Sequence, residues 1–73
     1  METVLVFRTS VTTNRKVSQV RPLLDRLMDK SEKWNFDLED CDHILRVEAV
    51  SVQAAAIIEK LGKAGFACVE LEN

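Results

Sequence analysis

VTTNRKVSQVRPLLDRLMDKS, residues 11–31, decides the fold. Val17, Val20, Leu24, Leu27 and Met28 recur within it at helical spacing, so one face of a helix must lie against an apolar surface. Where that helix begins turns on Pro22. A proline deep in a helix removes one backbone bond and clashes with the carbonyl four residues back, at a cost of about 3 kcal/mol. Thr13, Asn14 and Ser18 are each suited to accept a backbone N–H as the cap. Val17 already belongs to the apolar stripe, which favours a helix that begins near Asn14 and bends at Pro22 over one that begins near Ser18. The polar loop before it, residues 9–16, is where a fold of this kind usually keeps its chemistry. That loop holds no Cys, His, Asp or Glu.

Upstream, TVLVFRT (residues 3–9) is β-branched and aromatic with a continuous apolar run, which suits a central strand covered on at least one face. Downstream, residues 33–39 alternate. Trp34, Phe36 and Leu38 fall on one side and Asn35, Asp37 and Glu39 on the other, the pattern of a half-buried strand. Asp40-Cys41-Asp42 reads as a polar turn. Residues 43–50 follow as its hairpin partner, with Leu45, Val47 and Ala49 inward and Ile44, Arg46 and Glu48 outward. Ser51 is then read as the cap of a second helix over residues 52–64, its inward stripe Ala54, Ile57 or Ile58, and Leu61. Gly65 stands where a left-handed residue ends that helix, with Phe66 making the accompanying contact. In the last strand Ala67, Val69 and Leu71 are expected inward, and Cys68, Glu70 and Glu72 outward on an edge strand.

The order β-α-β-β-α-β with right-handed crossovers specifies a ferredoxin-like α+β sandwich. Two helices pack on one face of a four-stranded antiparallel sheet. Residues 1–73 read as one such domain, with Leu24, Phe36 and Val47 expected at the centre of its core. A 73-residue chain buries only roughly 60% of its unfolded surface. A hydrophobic content of 47% is ample for a compact core and argues against disorder. No apolar run approaches the ~20 residues of a membrane span. The opening METVLVFR has neither a basic n-region nor a small-residue cleavage site, and two cysteines are too few for a disulfide framework. The expectation is cytoplasmic residence with reduced thiols. The net charge of −2 is uneven, because residues 1–33 carry seven Lys/Arg against four Asp/Glu and residues 34–73 carry three against eight. The basic half reads as a solvated helix face.

Four stretches together resemble the heavy-metal-associated domain family of copper-chaperone-like modules. They are the helix with Val20 and Leu24, the strand Trp34-Asn35-Phe36-Asp37-Leu38-Glu39, the hairpin strand through residues 44–48, and Leu61-Gly62-Lys63-Ala64-Gly65-Phe66. The resemblance implies a metal loop of the form M-x-C-x-x-C, whose two thiolates clamp a soft ion such as Cu(I) or hold Zn(II). The corresponding positions here are Val11, Thr13 and Lys16, so the thiolate clamp is gone, and Lys16 adds a charge that repels a cation. No metal and no cofactor is expected at that loop.

The same fold places Lys63 and Phe66 at the loop end beside Asp40-Cys41-Asp42-His43. A non-standard Cu or Zn site built from Cys41, His43 or Cys68 is the alternative, although these donors match no standard metal spacing. Enzymatic function is not expected. The chain has no nucleophile and base in a recognisable arrangement, no glycine-rich phosphate loop and no paired catalytic carboxylates. Arg15 lies where ferredoxin-like acylphosphatases carry a phosphate-binding Arg, but the glycines around it are missing. RNA stacking on the open sheet face is disfavoured by its acidic residues Asp37, Glu39, Glu48, Glu70 and Glu72. The resulting expectation is a small non-catalytic binding or interaction domain. Its partner is a protein or a second copy of itself, through the open sheet face (an apolar patch of Val4, Val6 and Ile44) or an edge strand. No nucleic-acid or membrane partner is expected, and small-molecule sensing at the loop end is a further alternative.

Overall fold

A computed structural model describes residues 2–71. The elements run β1 (Thr3–Thr9), α1 (Asn14–Leu27), β2 (Lys33–Asp37), β3 (Ile44–Ala49), α2 (Ala54–Lys63) and β4 (Cys68–Leu71). The four strands form an antiparallel sheet in the order β2-β3-β1-β4, with β2 and β4 at its edges. This is the ferredoxin-like α+β arrangement. The core joins Phe7, Leu45 and Val47 of the sheet to Val20 and Leu24 of α1 and to Ile57 and Leu61 of α2.

α1 starts where the apolar stripe requires. Thr13 is extended and its Oγ1 accepts the Lys16 N–H at 3.1 Å. The helix then runs on through Pro22 to Leu27, burying Val20 and Leu24 fully. α2 ends in a Schellman arrangement. The Phe66 N–H donates to the Leu61 carbonyl at 2.9 Å and the Gly65 N–H to Gly62 at 3.0 Å, with Gly65 at φ +92°.

Five expectations are corrected. β2 ends at Asp37 rather than Glu39, because the Asp37 Oδ1 accepts the N–H groups of Glu39 and Asp40 and turns the chain out of the ladder. Ser51 does not cap α2, which begins at Ala54 behind Gln53. The N–H groups of Val50, Ser51 and Val52 instead wrap around the Glu32 carboxylate at 2.7, 2.9 and 2.9 Å, which delays the helix. In β4 the inward set is reversed: Cys68 faces the core opposite Thr9, while Val69 is 48% exposed opposite Arg8. A shift of one residue exchanges every side chain between faces. That phase is set at Ala67, whose N–H and carbonyl both bond Ser10. Ile44 is only 4% exposed, so the apolar patch on the open face consists of Val4 and Val69 with half-buried Val6 and Leu71. Finally, Phe36 is half-buried against the margin of the core, whereas Leu24 and Val47 are fully buried within it. Glu72 lies outside the described residues.

Candidate functional site

Three loops meet at one end of the sheet, as the topology requires. Thr9 holds two of them together. Its N–H donates to the Asp42 carbonyl at 3.3 Å and its Oγ1 donates to the His43 carbonyl at 2.7 Å, while the neighbouring Ser10 bonds Ala67. The positions corresponding to a metal loop serve structure here. Val11 is fully buried in the core. Thr13 is the helix cap, and the Lys16 Nζ donates to Thr12 Oγ1 at 3.1 Å. On the facing loop Lys63 is paired with Glu59 at 3.0 Å, and this holds the Glu59 carboxyl below its usual range. Phe66 packs, half-buried, against the core.

The cysteines are far apart in character. Cys41 is exposed and free; Cys68 is buried, and burial pushes its thiol up to about 11. Asp40, Cys41 and Asp42 bring one ligand atom each within 4.8 Å of one another. The Asp40 carboxylate is engaged in turn geometry, its Oδ1 accepting the Asp42 N–H at 2.8 Å. His43 closes the same turn in the left-handed region at φ 49°, a conformation for which histidine is enriched, and its N–H donates to the Asp40 carbonyl. Asp40 and His43 are thus used by the hairpin turn itself.

Glu32 is a residue that sequence reasoning missed. It is 6% exposed, and its Oε1 accepts the Asp29 N–H at 3.0 Å while Oε2 accepts three N–H groups from the β3–α2 segment. Those donors, Val52 first and then Asp29 and Val50, lower its carboxyl to about 2. One of two acidic residues in a DKSEK loop carries no signal of this in sequence. The carboxylate ties the α1–β2 loop to the β3–α2 loop, at the opposite end of the sheet from the hairpin turn.

The concave surface lies elsewhere, between α1 and the outer edge of β2. From the helix it takes Val17, Arg21, Asp25 and Met28, a stripe at helical spacing beside the buried one. From β2 and the two residues after it the groove takes both faces, residues 33–39, and from β3 it takes Arg46. Its wall is aromatic and held in place. The Trp34 Nε1–H donates to Asp25 Oδ1 at 2.8 Å, the Arg21 guanidinium stands 5.6 Å from the Trp34 ring centre, and Phe36 meets Trp34 edge-on at 5.9 Å. Val17, Met28, Trp34, Phe36 and Leu38 are all half-buried and stand among charged and amide side chains, so the groove is of mixed polarity and open to water. The groove carries both signs of charge along its length. Lys30 and Lys33 stand beside Asp29 and Glu32 where β2 begins, and Asp37 and Glu39 beside Arg46 where it ends. Sequence alternation had marked Trp34, Phe36 and Leu38 as simply inward. That β2 is an edge strand, with α1 set back from it, is a property of strand order rather than of the strand's own pattern. No protein-family model, curated protein or solved structure matches the chain.

Proposed function

We propose that this domain is a non-catalytic interaction module that receives an extended segment of a partner protein along the outer edge of β2, against α1. The observation that carries the reading is an edge strand bordered by an open groove of mixed polarity, in which the ordered Trp34–Phe36 pair forms one wall. An edge strand presents one alternate set of N–H and C=O groups outward, and an added strand satisfies them while its side chains enter flanking pockets. Along β2 and the two residues after it the charge runs from Lys33 to Asp37 and Glu39, and the docked segment is taken as antiparallel to it. A segment antiparallel to β2 brings its N-terminal end to Asp37 and Glu39 and its C-terminal end to Lys30 and Lys33. Basic residues early and acidic residues late in the segment are therefore preferred. The resemblance to heavy-metal-associated domains is retained as a likeness of scaffold. Val11, Thr13 and Lys16 supply no soft ligand at the corresponding loop, which turns attention from metal handling to protein docking.

The test is selection of a random peptide library displayed on phage against the intact domain, with affinities of synthetic hits read by fluorescence polarisation. Selected peptides should be extended and charge-graded as above. Arg21→Glu and Trp34→Ala should each weaken them about tenfold or more, about 1.4 kcal/mol, while Lys16→Ala and Lys63→Ala leave binding unchanged. Peptides sensitive to the two loop-end lysines and indifferent to Arg21 and Trp34 contradict the reading.

A further inference from the structure

Resting on that reading of the groove, we infer that its occupant includes a second copy of this chain, with β2 pairing antiparallel to the partner's β2 about a two-fold axis. The basis is that β2, KWNFD over residues 33–37, complements itself when reversed. With Asn35 on the axis, Lys33 comes opposite Asp37 and Trp34 opposite Phe36. In this register a lysine meets a carboxylate on one face and an aromatic meets an aromatic on the other. Each of these contacts occurs twice, as an isologous interface requires.

The surroundings agree with this pairing. Lys33 is exposed and forms no ion pair with any described residue. Asp37 reaches Arg46 only at 3.8 Å, with both side chains half exposed. Cross-strand pairs of opposite charge, and aromatic pairs, are the contacts that stabilise antiparallel sheets. A two-fold axis perpendicular to the sheet keeps the helices of both copies on the same side. The product is one continuous eight-stranded sheet with β1 and β4 outermost in each half, and the hydrogen-bonding edges of both β2 strands are consumed. β4 differs. Over its described residues, Cys68–Leu71, it exposes Val69 and carries no complementary pair of opposite charges.

The experiment is sedimentation equilibrium of the intact chain from about one to several hundred micromolar, on the wild type and two charge variants. Lys33→Glu places like charges opposite each other across the axis. Asp37→Lys does the same from the other side, bringing a lysine opposite Lys33. Far-UV circular dichroism verifies that each variant is folded. Wild type should form a dimer and nothing larger. Each variant alone should dimerise about tenfold more weakly or worse, since each change acts twice. An equimolar mixture of the two should regain dimer as a heterodimer, a result that loss of fold does not produce. A wild type that stays monomeric throughout, or a dimer indifferent to both variants, overturns the inference. A monomer that still binds selected peptides at β2 refutes self-pairing alone, whereas a monomer that binds none refutes the docking reading as well.

Discussion

Phe7 and Phe36 are both strand phenylalanines, yet their truncation to alanine should differ several-fold in cost. Phe7 sits on a central strand, 0% exposed, between Leu45 on β3 and Glu70 on β4, within the main core cluster. Removing a ring from so enclosed a position leaves a cavity and typically costs about 3–5 kcal/mol. A domain of 73 residues has a total stability on the order of 4–11 kcal/mol. Phe7→Ala should therefore lower the melting temperature by on the order of 15 °C or more, and in the weaker half of that range it leaves the domain partly unfolded at 37 °C. Phe36 is half-buried on an edge strand and lines the open groove. Its loss removes one edge-on aromatic contact with Trp34, worth about 0.5–1.5 kcal/mol, and a fraction of its apolar burial. The expected cost is on the order of 1–2 kcal/mol. The assay is urea unfolding followed by circular dichroism at a few micromolar, with m-values compared to verify two-state behaviour. If Phe36→Ala is as damaging as Phe7→Ala, then Phe36 belongs to the closed core and the groove loses its wall.

The remaining predictions concern the loops and termini of the elements. Glu32 has a carboxyl lowered to about 2 from an ordinary 4.5, so its stabilisation is complete above pH 4.5 and lost as pH falls towards 2. Glu32→Gln should lower the melting temperature at pH 7 and flatten the acid limb of a stability–pH profile between those values. An unchanged acid limb contradicts the wrapped carboxylate. Ellman's reagent at pH 8 should modify one thiol per folded chain, Cys41, because burial keeps the Cys68 thiol protonated and covered. Cys41→Ser should abolish the fast phase, and two fast thiols contradict the inward placement of Cys68. Gly65→Ala should destabilise by about 1–2 kcal/mol through backbone strain alone, since φ is +92° and nothing stands within 4 Å of an added Cβ. Gly62→Ala, inside α2 and equally open, should stabilise by about 0.5–1 kcal/mol, and thermal melts of the pair give opposite signs.

Much of the architecture was legible because local patterning and tertiary packing agree. The Val17–Met28 stripe located α1 through its proline. The TVLVFRT run marked out β1 to its two end residues. Glycine at the end of α2 and phenylalanine after it announced the Schellman turn. What escaped depended on contacts between distant segments. Ser51 has the chemistry of a cap, but Glu32, 19 positions away, takes its N–H first. The face of β4 is fixed by Ser10 holding Ala67, 57 positions away, and alternation in so short a strand reads equally well in either phase. The groove was invisible for a related reason. Trp34, Phe36 and Leu38 alternate as any half-buried strand does, and only the sheet order makes theirs an edge. The loop-end positions illustrate the converse. Val11, Thr13 and Lys16 stood out by correspondence with a metal loop, and in the fold they are a core residue, a helix cap and a lysine bonded to Thr12.

The central claim is that the outer edge of β2, facing α1, is where a partner strand docks. Isotope-edited NMR of the labelled domain, titrated with a selected peptide, tests it most directly. Intermolecular cross-strand contacts to residues 33–37 in antiparallel register, new amide protection on the outward-facing positions of β2, and shifts at Arg21 and the Trp34 indole are expected. Shifts confined to residues 12–16, 40–43 and 63–66, with β2 undisturbed, would place recognition at the loop end and contradict it.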